Sequence, residues 1–424
     1  MSEEKALGMR AESGRWVFVL VGITMNLCLG AVYAYSIFKP AVEKVFNVTA
    51  FQGNLPFMAF LLFFAILMFF GGKIMEKLGP RKLALIGGVI VGLGWILSCF
   101  ATKTGNIWLL VLTYGVVAGS GVGLVYGCPV AMGARWFPDR KGLAVGLMLA
   151  GFGGSALITG KIASILIGDI KTLSAEQLAQ TLPQTFLYFG IAFGVILVLL
   201  SLPFRFPTPG WKPQGWEPKA GSAAAVDYTA SGMAKTPTFW GLFFCYIIGC
   251  LAGLMAIGIS KPVGSEIIEI AGETATMLVG VFAIFNAVGR PLFGALTDKM
   301  GPKGAAVLNL IIILAVSLIM IFLAKEGTTT LYVVAFAGFW LCLGGWLAIA
   351  PTATATFFGM KNYARNYGTV FFAYGLGAII GGVIAGQAKD VFGSYTFAFY
   401  PTAGLAVVGI VIALLLLKAP KKAA

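Results

Sequence analysis

The chain has 424 residues, 59% of them hydrophobic and 11% charged. Its mean hydropathy is +0.92, beyond the range of soluble domains, which are roughly 45–50% apolar and about 25% charged. A membrane span takes about 20 apolar residues, so this length holds about a dozen spans with short connections and no large catalytic lobe. The 30 Lys+Arg against 16 Asp+Glu, a formal +14, would suggest nucleic acid in a soluble chain; here the excess sets orientation in the bilayer, and no nucleic-acid partner is expected.

Apolar runs recur near 16–38, 51–71, 83–101, 107–133, 142–168 and 184–204, then near 238–260, 273–295, 304–324, 330–357, 366–388 and 395–417. Charge, Pro or Gly fills each gap, so the runs read as twelve transmembrane helices. The first, Trp16 to Phe38, is too long for the apolar part of a signal peptide and many others follow it, so it is expected to remain as a span. The longest polar stretch, Arg205 to Pro237, carries Pro207, Pro209, Pro213 and Pro218 and reads as a linker. It divides an N-terminal bundle at 1–204 from a C-terminal bundle at 238–424, each of six helices.

An even number of spans puts both termini on one face. Twenty-one basic residues sort to that face, among them Arg15, Arg81, Arg135, Lys219, Lys361, Lys421 and Lys422. Eight sort to the other face or its helix ends: Lys39, Lys44, Lys103, Lys161, Lys171, Lys261, Lys325 and Lys389. Both termini are therefore expected to be cytoplasmic. All six cysteines (Cys28, Cys99, Cys128, Cys245, Cys250, Cys342) lie in or at the ends of apolar runs, and there is no His. They read as packing residues, and neither a disulfide nor a metal site is expected.

The two halves repeat each other. Gly72 to Arg81 (GKIMEKLGPR) corresponds to Gly294 to Lys303 (GALTDKMGPK) at an offset of 222. Trp136/Phe358, Gly146/Gly368, Gly153/Gly375 and Ala156/Ala378 keep that register. Parallel six-helix repeats joined by a polar loop are one way in which secondary transporters are built.

The repeated loop, Gly-x3-(Asp/Glu)-Lys-x-Gly-Pro-(Arg/Lys), resembles the signature of the major facilitator superfamily. The resemblance implies an all-α membrane protein, twelve transmembrane helices in two pseudo-symmetric six-helix bundles. It also implies a latch in which Glu76, Arg81, Asp298 and Lys303 pair with neighbouring helix ends in one state and release in the other. A closer resemblance lies in Gly123-Leu-Val-Tyr126-Gly, Arg135-Trp-Phe-Pro-Asp139-Arg140-Lys141-Gly142, Asn286-x3-Arg290-Pro and Ala364-Arg365-Asn366-Tyr367-Gly368. These look like the oxalate/formate antiporters and the monocarboxylate porters, across nearly the whole chain apart from the termini and linker. They imply an inner-membrane carrier of small carboxylates, working as a monomer in the lipid bilayer.

Arg290 reads as the one basic residue deep within a span, and a charge at mid-bilayer costs about 2.5–3.5 kcal/mol on insertion scales, so it must face a cavity or partner. A guanidinium grips a carboxylate with two parallel hydrogen bonds, and Asn286, one turn away, can orient it. No Asp or Glu lies deep in any span, which leaves Arg290 without a counter-ion and makes an incoming anion the group that neutralises the site. Around it the resemblance nominates Tyr33, Gln52, Tyr126 and Tyr374, with Phe371 as an apolar wall.

Departures from the antiporter pattern bear on the substrate. The oxalate carrier's motif has Lys where this chain has Tyr374, aromatics where it has Leu343 and Leu347, and a polar residue where it has Val32. One cation with a more apolar wall suits a monoanion with a short alkyl tail, such as lactate, pyruvate, propionate or acetate. The animal monocarboxylate porters have an acid where Asn286 stands and a Lys near Tyr35, so their proton relay does not carry over. Proton-linked symport is the favoured reading, with the proton as co-substrate and no bound cofactor; exchange of carboxylates is the alternative. Glycine spacings in the fourth, fifth and eleventh helices are expected to form the interface along which the halves rock. No nucleophile–base pair or metal-ligand set supports an enzyme, and no nucleotide-binding Gly-x4-Gly-Lys-(Ser/Thr) loop supports a pump.

Overall fold

The computed structural model describes residues 4–170, 172–208, 211–216, 227–359 and 362–420. Lys171, Lys219, Lys361, Lys421 and Lys422, used above for orientation, lie outside the described residues, as do Pro209 and Pro218 of the linker.

Among the described residues, ten helices are long and apolar enough to cross a membrane. Two of them, Ala50–Thr104 with 55 residues and Gly272–Phe322 with 51, are far too long for one crossing: at 1.5 Å per residue, 50 residues reach about 75 Å, against a hydrocarbon core of about 30 Å. Each breaks at one left-handed glycine, Gly79 (φ 76°, ψ 167°) and Gly301 (φ 77°, ψ 163°), followed by a proline. Glycine adopts this backbone without steric cost, and the proline bars its predecessor from the helical region. Each long helix is thus two spans joined by a sharp turn, and the spans number twelve. The two breaks lie 222 residues apart (301 − 79) with the same backbone angles, so the duplication seen in sequence is also one of conformation.

The spans are α1 Ala11–Phe46, α2 50–78, α3 80–104, α4 Ile107–Trp136, α5 Lys141–Ile167 and α6 Ala175–Ser201, then α7 Pro237–Glu266, α8 272–300, α9 302–322, α10 Thr329–Phe358, α11 Tyr363–Phe392 and α12 Tyr395–Leu416. Between α6 and α7 the described chain holds one short helix, Ala230–Ala234. The only strands among the described residues are the two-residue pair Lys5–Ala6 and Met9–Arg10.

The halves meet along α2 with α11 and along α5 with α8, and small residues permit the approach. A Cβ on Gly375 would lie 2.9 Å from Ala65, and one on Gly153 would lie 2.7 Å from the Asn286 side chain, both across the interface. The α4 glycines do not join it, contrary to expectation. Gly115, Gly119 and Gly123 press on Ala59, Phe60 and Phe64 of α2 in their own half, because α4 is buried between α2 and α3. Gly377 and Gly381 of α11 likewise pack on α7, whereas Gly368, Gly375, Gly382 and Gly386 face α2.

Along α5 and α8 the halves part toward the face that carries the termini. Gly146, two turns before Gly153, has nothing within 4 Å of its Cβ position, and Gly294 meets only Ala348 of its own half, at 4.0 Å. At the other end of the pair, Lys161 and Glu273 stand 3.7 Å apart.

On the terminal face, Arg15 at the start of α1 donates two hydrogen bonds to Asp139, at 2.6 and 2.9 Å, and a third to the Trp136 carbonyl. Burial by itself would raise the Asp139 carboxyl, but the bonds from Arg15 and the nearby charges of Arg15 and Arg140 outweigh it and hold the group below its usual value. A depressed carboxyl stabilises the fold fully above its unfolded value of about 4 and loses that contribution as pH falls through the folded value. Asp139→Asn, which removes charge-assisted bonds worth about 2 kcal/mol, is therefore expected to lower the detergent melting temperature by a constant gap from about pH 8 to about pH 5. The gap should close below about pH 4.

Candidate functional site

Arg290 sits mid-span in α8 and is 4% exposed. One turn earlier Asn286 is fixed from both ends: its amide donates to the Trp340 carbonyl of α10 at 3.0 Å, and its oxygen accepts from Arg290 Nη2 at 3.4 Å. This fit depends on Gly344 of α10, whose Cβ would overlap the Asn286 backbone carbonyl. Gly344→Ala is expected to cost about 1–3 kcal/mol through the forced shift. A thermal-unfolding series comparing it with Gly146→Ala, which faces open space, would read that cost directly.

The guanidinium is left short of partners. Nε and Nη1 of Arg290 are buried with no hydrogen bond, and among the described residues no carboxylate lies within ion-pair distance. A buried charge with open donors is costly unless something occupies them. Its face lies 5.9 Å from the Phe152 ring, a contact that favours the cation without neutralising it.

Tyrosines and phenylalanines from both halves enclose the group. In α1, residues Gly30–Ala34 tighten into a 3-10 turn that carries Tyr33, and its hydroxyl lies 2.9 Å from that of Tyr374 in α11, joining the halves. The Arg290 charge acts on the hydroxyls of both Tyr33 and Tyr126. Phe64 of α2 packs against Tyr126 (5.1 Å between centroids), Phe371 (5.5 Å), Tyr374 (5.7 Å) and Phe152 (5.8 Å). Phe371 and Tyr374 stack at 5.0 Å. Next to Phe371, Tyr246 of α7 stacks on Trp346 of α10, and the Tyr246 hydroxyl and the indole N–H of Trp346 are both buried without a partner. The site is thus an apolar aromatic box around one cation with two open N–H groups, an arrangement that matches an anion carrying an apolar tail.

Of the residues expected from sequence, Arg290, Asn286, Tyr126, Tyr33, Tyr374 and Phe371 come together here. Gln52 does not. It forms a capping box with Thr49 at the start of α2, its side-chain oxygen accepting from the Thr49 N–H at 3.1 Å. Phe64 follows twelve residues later, about 18 Å along the helix. Leu343 lies against Gly253 of α7, and Leu347 is buried one turn further along α10. Glu76, Arg81, Asp298 and Lys303 are exposed, and no ion pair joins any of them among the described residues.

Arg290 is also not alone as a buried cation within a span: Lys39 and Lys261, assigned above to the far face or its helix ends, are 0% and 7% exposed. They sit one or two turns inside α1 and α7, where neighbouring helices cover them. Phe64, Phe152, Trp340, Tyr246 and Trp346 were missed because an aromatic in an apolar run carries no periodic mark. The repeat held a signal for two of them: the offset of 222 places Phe64 opposite Asn286 and Phe152 opposite Tyr374.

A family model described as Major Facilitator Superfamily matches residues 19–339 and 242–424. Among curated proteins, the oxalate:formate antiporter of Oxalobacter formigenes is 28% identical over 92% of this chain and 88% of its own length. Monocarboxylate transporter 13 of Rattus norvegicus is 27% identical over 78% of this chain and 71% of its own. Among solved structures, a bacterial homologue of the human lysosomal transporter Spinster, inward-facing and unoccupied, superposes with a TM-score of 0.71 at 15% identity, covering 97% of this chain and 99% of that one. The match to that structure speaks for the fold alone.

Proposed function

The chain belongs to the major facilitator superfamily, and we propose that within it the protein is a secondary transporter of short monocarboxylates such as lactate, coupled to protons and working by alternating access. The observation that carries this reading is Arg290, buried with two partnerless N–H groups and, among the described residues, no carboxylate within ion-pair distance. A single carboxylate neutralises the site and supplies acceptors to the fork. With the charge cancelled, the loaded carrier can close and cross, whereas the empty one resists closure. The aromatic box accepts a short alkyl tail.

A proton travelling with each anion makes the cycle electroneutral; no other co-substrate, metal or cofactor is invoked, and one copy of the chain suffices. The basic residues put the face carrying the termini in the cytoplasm of a cell bounded by this membrane. The Oxalobacter relative, by its name an antiporter, favours exchange as the second reading. A competition panel in proteoliposomes tests the substrate class: excess lactate, pyruvate, propionate or acetate should suppress labelled lactate uptake, and oxalate should not. Equal inhibition by oxalate would overturn the choice of a monoanion.

A further inference from the structure

The offset that relates Gly79 to Gly301 also relates Lys39-Pro40 of α1 to Lys261-Pro262 of α7 (261 − 39 = 222), and Ala50, which opens α2, to Gly272, which opens α8. Both lysines are buried near the outer face. Lys39 Nζ donates to the Tyr395 hydroxyl of α12 at 2.7 Å, across the interface between the halves, and lies 3.4 Å from Glu43 of its own helix. The charges of Glu266 on α7 and Asp390 on α11 also act on it from the other half. Lys261 in turn feels Asp169, just beyond the outer end of α5 in the other half.

The two aspartates correspond within one residue of the repeat (390 − 169 = 221), and each lies at the start of a helix of the opposite half. Asp390 accepts from the backbone N–H groups of Ala50 and Phe51, at 2.9 and 3.0 Å, in the first turn of α2. An Asp169 oxygen lies 3.9 Å from the Cβ position of Gly272 in the first turn of α8. A helix start carries unpaired N–H groups and partial positive charge. Each acid therefore sits at a helix start of the opposite half, and its charge reaches that half's buried lysine.

We infer that Lys39 with Asp390 and Lys261 with Asp169 form a two-fold-related charge clamp that holds the outer ends of the halves together while the carrier faces inward. The close packing of Gly382 on Met58 and Gly386 on Phe51 brings α2 and α11 near enough for it. Rocking to the outward state separates all four charges and wets them, so the clamp sets the resting ratio of the two states. The inference holds whichever anion is carried, and its test needs no substrate.

The test places spin labels at the exposed outer positions Asn106→Cys and Glu326→Cys in lipid nanodiscs; all six native thiols are buried. A second pair, Lys77→Cys and Lys299→Cys, reads the inner face. The unaltered clamp should give mainly the short outer distance. Lys39→Gln with Lys261→Gln should raise the ratio of long to short outer distances about tenfold, the size of one charge-assisted bond, with the inner pair shortening in step. Asp169→Lys should shift the distribution likewise, and adding Lys261→Asp to it should restore the original one. An unchanged outer distance in the double glutamine variant overturns the clamp. So does a reciprocal exchange that stays as shifted as the single change, and that arm decides the matter should the double glutamine variant fail to fold.

Discussion

Arg290→Gln is expected to abolish carboxylate uptake while leaving the fold intact. Hydrogen bonds to a charged group are worth about 1.5–3 kcal/mol each, so losing a two-pronged grip lowers affinity ~100-fold or more at 1.4 kcal/mol per tenfold. The fold should not suffer in step. Among the described residues Arg290 bonds to the Asn286 side chain at 3.4 Å, has the Tyr126 hydroxyl beside it, and keeps two buried nitrogens without partners, so its removal relieves a buried charge with no counter-ion. The melting temperature of the empty protein should hold or rise, and the stabilisation that lactate confers on the parent protein should vanish. Arg290→Lys separates charge from geometry: a point charge without the planar fork should recover part of the binding only. Normal uptake by the glutamine variant would remove the basis for the site.

Tyr374→Lys is expected to change which anion is taken. The Tyr374 hydroxyl meets that of Tyr33 at 2.9 Å, and its ring stacks on Phe371 within the box that holds Arg290. A lysine there would add a second cation to a site that already lacks a counter-ion, so the empty variant should be less stable than the parent. A dianion would neutralise both charges, whereas a monoanion would leave one. Oxalate should therefore gain at least ~10-fold as an inhibitor, the size of one charge-assisted bond, while lactate uptake falls. Should the variant keep its preference for lactate, the single-cation explanation of the substrate class fails.

The fold was legible because the features that set it are coarse and repeated. Apolar runs of span length gave the crossings, and Gly79-Pro80 and Gly301-Pro302 marked two turns that the structure makes with the same backbone angles. Arg290 stood out because charge is rare in hydrocarbon. The aromatic neighbours did not, since Phe64 or Trp340 in an apolar run looks the same whether it faces lipid, core or ligand, and only packing separates these cases. Gln52 shows the converse: a polar residue at the start of a span fits both a binding role and a helix cap, and here its bond to Thr49 places it in the cap. Lys39 and Lys261 were read as helix-end charges because packed neighbours bury them, Lys39 partly through Tyr395 of the opposite half, which no window along one chain segment reveals.

The most direct test of the central claim is uptake of labelled L-lactate into proteoliposomes that contain no internal carboxylate, with and without an inward proton gradient. A buried arginine without a counter-ion, neutralised by a monoanion that travels with a proton, predicts accumulation that rises with the gradient and needs no preloading. Uptake that appears only after the vesicles are loaded with another carboxylate, and ignores the gradient, would contradict it.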